Sequence, residues 1–526
     1  MRVAIIGCGC SGMASIKCCI DEGLEPVCFE KTSDVGGLWN YREDIASTEL
    51  GCVFKSTVIN TSKEVMSFSD FPCPKEFPNY MHNTLVNKYL KMYAERFDLV
   101  KYVKFNTSIT AVQKTEDFAS SGQWNVTIKD EKTGKVREEI FDAVMVCTGH
   151  HAKPHLPRFP GMDNFKGKII HTHYYRKPFG YENKRIVVIG IGNSGVDASV
   201  ELGRFASQVL FLSTRRGSWV LTRLTHYGVP RDLKRNRFIS SFPLWLRNRL
   251  MENSCDYVFD HKAFGLKPAH RALSAHPTVN DELPIRITSG SVIIKPNVKR
   301  FTETGIEFED GSFEDKIDVV VLATGYDIAF PFLYESFAKV EGNKISLYKH
   351  IFYPDMEKPT LAVIGLLQPW GAANPVVEIQ CRWVTRVFNG KVKLPDRETM
   401  WRAIKRKQAS VNKRYVQTQR HTIQEDYIGY MDEVAVEIGV KPNFFRMFWR
   451  DPKFWYTNVM GVHLPYQYRL EGPGTWKGAR EAIETVWERV HAPTQTRKVP
   501  SEDPEVAMKY VVLALFVSVL AFIFYM

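Results

Sequence analysis

Met1-Arg2-Val3-Ala4-Ile5-Ile6-Gly7-Cys8-Gly9-Cys10-Ser11-Gly12 opens the chain. An apolar run, three glycines spaced Gly-x-Gly-x-x-Gly and helical periodicity near Ser11–Glu22 read as a strand, a tight turn and a helix. The first glycine permits the turn, the second lets a pyrophosphate approach the backbone, and the third allows close helix–strand packing. Unpaired N–H groups at the helix start attract phosphate. The next strand, near Pro26–Glu30, ends in an acid 23 positions after Gly7, placed to hold ribose hydroxyls. Gly7, Gly9, Ser11, Gly12 and Glu30 therefore form a candidate dinucleotide site. Its carboxylate suits the unmodified ribose of FAD or NAD better than a 2′-phosphate.

The same unit recurs. Gly190-Ile191-Gly192-Asn193-Ser194-Gly195 follows the apolar strand Arg185–Ile189, with Gly190 lying 183 positions after Gly7. Here the second strand, Gln208–Ser213, ends in Thr214-Arg215-Arg216 instead of an acid. A guanidinium pairs with a 2′-phosphate that a carboxylate would repel. Gly190, Gly192, Asn193, Ser194, Gly195, Thr214 and Arg215 thus read as an NADPH site, with Arg215 as the phosphate partner. Further strands at Ala143–Cys147 and Asp318–Ala323 extend the alternation, which predicts an α/β fold with two doubly wound, Rossmann-like domains.

Length and composition agree with several domains. The 526 residues exceed what one core usually serves, and 44% hydrophobic with 24% charged residues is ordinary globular composition. A disordered chain, a collagenous repeat and a disulfide-stapled secreted domain are excluded. Ten cysteines without Cys-x-x-Cys or Cys/His zinc spacing read as reduced thiols, and no metal site is expected. The net charge of +12 is spread, without a recognition module, so nucleic acid is not an expected partner.

The N-terminus enters a strand at once and lacks signal-peptide features. The C-terminus ends in an uncharged run, Tyr510–Met526, behind a polar linker. At ~1.5 Å per residue it reaches roughly 25 Å, which suits a hydrophobic anchor helix contacting membrane lipid. Such a tail places the body on the cytosolic side of an internal membrane. Between Ser218 and Lys295 the alternation fades into mixed basic and aromatic residues; a membrane-touching surface, a substrate entrance and an insertion with its own small core all fit. The similar stretch Phe444–Tyr456 reads as core packing, and the basic cluster Arg402–Arg420 as a solvated helical face.

Two dinucleotide sites of opposite preference imply electron flow from NADPH to a flavin. The cysteine pair that a disulfide reductase needs after the first unit is absent. An NADPH oxidase and a monooxygenase remain. Phe165-Lys166-Gly167-Lys168-Ile169-Ile170-His171-Thr172-His173-Tyr174-Tyr175, lying between the two glycine loops, resembles the Phe-x-Gly-x-x-x-His signature of flavin-containing monooxygenases. Gly36-Gly37-Leu38-Trp39, Asn60-Thr61-Ser62-Lys63-Glu64, Cys147-Thr148-Gly149-His150-His151, Ala323-Thr324-Gly325-Tyr326 and Gln467–Gly474 extend the resemblance over nearly the whole chain, and the apolar tail is similar to that of the animal microsomal members.

The resemblance implies an NADPH- and O2-dependent flavoprotein that oxygenates soft, uncharged or singly charged amines, sulfides and related nucleophiles through a C4a-hydroperoxyflavin. It implies Asn60 as the catalytic residue beside the flavin, with Gly37, Leu38, Trp39, Thr61 and Gln368 as further flavin contacts. Read without the family, Asn60 is a turn cap and Gln368 carries no signal. His171 reads as a hinge or an interdomain hydrogen bond that positions NADP, in preference to a catalytic base. Tyr175-Arg176 replaces the Trp-Pro or Trp-Asp of the related Baeyer–Villiger enzymes, which favours N- and S-oxygenation; ketone oxygenation and an uncoupled H2O2-producing oxidase stay as alternatives. The expected organisation is an FAD domain split between 1–153 and 331–443, an NADP domain at 154–330 with an insertion at 218–295, an extension at 444–509 and the anchor at 510–526. The endoplasmic reticulum membrane is the expected location. A homo-oligomer is compatible but not required.

Overall fold

The computed structural model describes residues 1–43, 50–205, 208–333 and 337–497. In chain order, its two parallel sheets use β1 (Arg2–Ile6), β2 (Glu25–Phe29), β3 (Val103–Lys104), β4 (Ala143–Val146), β5 (Lys168–His171), β6 (Ile186–Ile189), β7 (Leu210–Ser213), β8 (Val292–Lys295), β9 (Val319–Leu322) and β10 (Leu361–Val363). The principal helices are α1 (Cys10–Asp21), α2 (Asn193–Phe205), α3 (Leu244–Asp256), α4 (Ala373–Phe388) and α5 (Tyr427–Ile438). The first sheet has the order β10-β4-β1-β2-β3 and the second β8-β7-β6-β9-β5, with every neighbouring pair parallel.

Both sheets follow one packing rule. Alternate side chains of a strand point to opposite faces. Val3 and Ile5 enter the core containing Ile16 of α1 and Val384 of α4, while Ala4 and Ile6 face Ile109, Val126 and Ile128 of a three-stranded antiparallel sheet. In the second sheet, Ile186 and Val188 pack with Val196 and Val200 of α2, and Val187 and Ile189 meet Val298, Ile306 and Phe308 of another antiparallel meander. Each parallel sheet is thus helical on one face and covered by a β-meander on the other. This corrects the doubly wound expectation of helices on both faces. The apolar inner side of a meander meets the sheet's burial requirement equally well.

The sheets are joined by two crossing segments that pair with each other. Lys153–Pro154 and Tyr326–Asp327 form an antiparallel bridge, reinforced by His155 Nδ1 to Asp327 Oδ1 at 2.9 Å and Thr324 Oγ1 to the His155 carbonyl at 2.6 Å. β8 falls inside the 218–295 stretch yet pairs with β7, so it belongs to the second sheet. Part of the rest builds a small core of its own around Trp219, Leu221, Cys255 and Leu273, into which Trp370 also packs, while Val220, Phe259, Leu266 and Leu283 join the core of the second sheet.

Two sequence expectations are corrected here. Within Phe444–Tyr456 only Phe454 is buried, while Phe445 and Trp449 are 76% and 70% exposed. These rings form an external aromatic cluster, Phe448 lying 5.3 Å from Trp449 and 5.1 Å from Trp455, so short-range ring contacts replace core packing. The basic cluster is only partly a solvated face: Arg414 is bidentate to Asp426, and Arg420 lies beyond the helix Arg397–Arg414, against the second glycine loop. All ten cysteines are free. No helix among the described residues is long and apolar enough to cross a membrane, and the anchor expected at Tyr510–Met526 lies outside them.

Candidate active site

The two glycine loops share one steric constraint. A Cβ on Gly12 would lie 1.9 Å from the Gly7 carbonyl oxygen, and one on Gly195 would lie 1.9 Å from the Gly190 carbonyl oxygen. Only glycine lets each helix start that close to its strand. Gly9 packs against the Gly37 backbone: a Cβ on Gly9 would touch it at 3.7 Å, and one on Gly37 would lie 3.0 Å from Gly9 Cα. The loop N–H groups at the start of α1 fit a pyrophosphate.

Glu30 ends β2 as expected and is buried. Its Oε2 accepts from the Cys8 backbone N–H at 2.7 Å, and its Oε1 from the Thr32 N–H and hydroxyl at 2.9 and 2.8 Å. The carboxylate therefore braces the glycine loop, and Oε2, with a single bond, retains acceptor capacity for a ribose hydroxyl. The turn Gly37–Trp39 is docked on the same loop through the Gly36 N–H to the Cys8 carbonyl at 3.0 Å. Ser11 is buried at the start of α1, its hydroxyl against Gly365.

One cavity of about 330 Å³ is bordered by Leu38, Trp39, Asn60 and Gln368 from the first unit and by Gly192, Asn193, Ser194 and Gly195 from the second. It brings the expected flavin and nicotinamide residues face to face. A second cavity of about 910 Å³ also reaches Asn60, together with Thr61, Trp370 and residues of the 218–295 stretch. Asn60 thus stands in a wall common to both. It does not occupy the N-cap position of the following helix, Lys63–Met66, which falls to Ser62. Arg223 donates from Nη2 to Asn60 Oδ1 at 2.7 Å, while its Nη1 is 2.7 Å from Asp281 Oδ2 and its Nε reaches the Ile59 carbonyl at 3.2 Å. Arginine is a donor only, so this contact fixes the Asn60 carbonyl toward Arg223 and leaves the amide N–H2 for a ligand. Gln368 is held by its N–H to the Ile423 carbonyl at 2.7 Å and by the Gln424 side chain on its Oε1.

His171 ends β5, 2% exposed, with its ring 5.4 Å from Tyr326 of the crossing segment. Burial is the main cause lowering its pKa to about 4, with His173 adding to the effect. Nδ1 accepts from the His173 N–H at 3.0 Å. The ring is neutral near pH 7, packed where the two sheets join. Among the described residues, no group of three or more His, Cys, Asp or Glu side chains is disposed to hold a metal.

Comparison with known proteins gives this geometry its chemistry. Residues 1–526 match the flavin-binding monooxygenase-like family. Flavin-containing monooxygenase 5 of Homo sapiens is 51% identical over 506 residues, covering 95% of this chain and 94% of that protein. The chain belongs to the flavin-binding monooxygenase-like family. Dimethylaniline monooxygenase [N-oxide-forming] 2 of Rattus norvegicus is 46% identical over 534 residues, 99% of this chain and 98% of that protein. Among solved structures, S-allyl-L-cysteine S-oxygenase from Allium sativum shares the fold at TM-score 0.64, with 23% identity and coverage of 93% and 98%. Cyclohexanone-bound cyclohexanone monooxygenase follows at TM-score 0.59, with 17% identity and coverage of 84% and 97%. This flavin monooxygenase uses FAD, NADPH and O2.

In the monooxygenase fold, sequence reasoning missed the residues that reach the loops from elsewhere. The Thr278 hydroxyl donates to the Ile191 carbonyl at 2.6 Å, and the Val279 N–H to Asn193 Oδ1 at 2.8 Å, so part of the inserted stretch clamps the second loop. Arg420 approaches from the other side: a Cβ on Gly192 would lie 2.6 Å from its Nη2. Thr214, Arg215 and Arg216 line a cavity of about 300 Å³ with Arg420, as expected of a phosphate pocket. Burial, and then the Arg215 charge, lower the Arg420 pKa. No periodicity in the sequence reveals such cross-chain contacts; the dense arginines near 402–420 were the one available signal.

Proposed function

We propose that this monooxygenase transfers oxygen to soft nitrogen and sulfur nucleophiles, small amines and sulfides, at the wall formed by Asn60. The observation that carries the reading is the Arg223–Asn60 contact, which leaves Asn60 as a hydrogen-bond donor between the dinucleotide cavity and the larger one. When bound, FAD accepts hydride from NADPH and activates dioxygen, and one oxygen atom goes to the substrate. The chain's own residues then have three tasks. Gly7, Gly9, Ser11, Gly12 and Glu30, with Gly37, Leu38, Trp39, Thr61 and Gln368, hold the flavin. Gly190, Gly192, Asn193, Ser194 and Gly195, with Thr214 and Arg215, hold NADPH and set its preference over NADH. Asn60 donates to the reacting oxygen or to the nicotinamide amide, a preorganised dipole of the kind that stabilises developing charge.

The names of the relatives support this substrate class, one being N-oxide-forming on dimethylaniline and one an S-oxygenase. The domain reading follows the two sheets: an FAD unit from 1–153 and 331–443, and an NADP unit at 154–330 whose insertion is better ended at 291, before β8. Tyr510–Met526 is assigned as the lipid-contacting anchor of a cytosol-facing enzyme of the endoplasmic reticulum. Its apolar length supports that, as do exposed rings such as Trp245 and Trp449, a residue type favoured at headgroups. The test is product analysis of the full chain with NADPH and O2, offered methyl phenyl sulfide, N,N-dimethylaniline or an open-chain ketone. S-oxide and N-oxide are expected. Ester from the ketone alone, or peroxide with no organic product, would overturn the reading.

A further inference from the structure

The cavity of about 910 Å³ beside Asn60 carries an uneven charge. Seven cationic side chains line it against three carboxylates. Four of the cations are neutralised: Arg223 by Asp281 at 2.7 Å, Arg237 by Asp432 at 2.7 Å, Lys441 by the same Asp432 at 3.3 Å, and Arg247 by Asp426 at 3.5 Å. Arg231 and Lys234 have no ion-pair partner among the described residues, and Arg235 has none in direct contact but feels the Asp232 charge. Arg231 donates only to neutral oxygens, the Thr222 carbonyl at 2.6 Å, the Thr222 hydroxyl at 2.8 Å and the Ser254 hydroxyl at 2.7 Å. Arg235 donates to the Trp370 carbonyl, and Lys234 is exposed.

The remaining carboxylate, Asp232, lies close enough to Arg235 for their charges to interact, though without an ion-pair contact. Asp232 accepts from the Ser62 N–H at 2.6 Å and from the Tyr80 hydroxyl at 3.4 Å, and burial raises its pKa. Burial likewise lowers the pKa of Arg231 and of Arg235. Desolvated guanidinium groups without an ion-pair partner are held at a cost that an incoming anion offsets. Phe238, Ile239, Leu250 and Met251 supply an apolar wall in the same cavity.

We infer that this cavity selects soft nucleophiles carrying a negative charge or none, amphiphilic thioethers with a carboxylate above all, and disfavours ammonium-bearing substrates. The inference rests on the oxygenation reading above and narrows it. A carboxylate seated near Arg231 and Lys234 holds its apolar body along the Phe238 side, within the cavity that reaches Asn60. A quaternary ammonium of the same size meets the uncompensated field. N,N-dimethylaniline, neutral near pH 7, remains a substrate.

The test uses the full chain and three para-substituted methyl phenyl sulfides of similar size, bearing a carboxylate, a carboxamide or a trimethylammonium group. Equilibrium binding is read by saturation-transfer NMR and S-oxide formation by kcat/KM, at low and at physiological ionic strength. The carboxylate is expected to bind at least about tenfold more tightly than the ammonium, with a gap that narrows as salt rises. Arg231→Gln and Lys234→Gln, measured singly, should each narrow it. Should a variant lose its fold, the salt dependence of the natural protein still decides. Equal binding of the two ions, or a gap indifferent to salt, overturns the inference. The expected binding order without any S-oxide would leave this selectivity standing and remove the oxygenation reading instead.

Discussion

At the scale of single residues, the contact between Arg223 and Asn60 is the one with the clearest consequence. Arg223→Leu removes the donor that orients the Asn60 amide, and a charge-assisted hydrogen bond of this kind is worth ~1.5–3 kcal/mol. S-oxide formed per NADPH consumed is expected to fall about tenfold or more, with hydrogen peroxide making up the difference and Arg223→Lys restoring part of the coupling. An unchanged ratio would show that Asn60 needs no such brace. His171 supplies a second, pH-dependent outcome. Its folded pKa of about 4 lies below its usual 6.5, so the unfolded chain binds the extra proton and stability is complete above pH 6.5. Stability then falls as pH drops from 6.5 towards 4. Thermal unfolding of His171→Gln should show a flatter profile through that window; an identical slope would place the titration elsewhere. The sequence reading already disfavoured His171 as a base, and a ring kept neutral by burial against Tyr326 supports a packing role.

At the scale of elements, the strand–loop–helix units were the most legible features, because their requirements are local. The sequence bounds for α1, β2, β6, β7 and β9 lie within two residues of those observed. A strand, three glycines and a terminal acid or arginine define such a unit without reference to the rest of the chain. The meanders and the clamp on the second loop were not legible, since strand pairing and contacts such as Thr278 to Ile191 depend on residues far apart. Phe444–Tyr456 misled for a related reason: helical spacing of large rings looks alike whether the rings face a core or solvent, and only the fold decides. The second unit gives a paired prediction. Arg215→Ala is expected to raise KM for NADPH by about tenfold or more while sparing NADH, since only NADPH carries the 2′-phosphate. Arg420→Ala, which removes the cation over Gly192, should raise KM for both cofactors. Initial-rate kinetics with each nicotinamide distinguishes the two, and a shared pattern would merge their roles.

At the scale of the whole molecule, the segment after 443 is tied to the first-sheet half by buried charge. Arg469 lies 2.6 Å from Glu378 and 2.8 Å from Asp70, all three almost fully buried, and Lys17 shares Asp70 at 2.6 Å. Arg489 adds a further pair with Glu64 at 2.7 Å. Removing one partner of a buried pair strands the other, which costs ~3–5 kcal/mol. Arg469→Met should therefore lower denaturation stability by about that amount, as read by urea unfolding; a change below ~1 kcal/mol would mean that Lys17 compensates. The motif Gln467–Gly474 pointed to this region by resemblance alone, and nothing in its local spacing disclosed the partners at Glu378 and Asp70.

The most direct measurement is oxygen accounting in the natural protein and in Asn60→Ala, supplied with NADPH, isotopically labelled dioxygen and methyl phenyl sulfide. The natural protein is expected to form labelled S-oxide nearly mole for mole with NADPH consumed. Asn60→Ala is expected to go on consuming NADPH but release hydrogen peroxide in place of S-oxide. Labelled S-oxide formed with the same stoichiometry by both proteins would contradict the placement of Asn60 at the point of oxygen transfer.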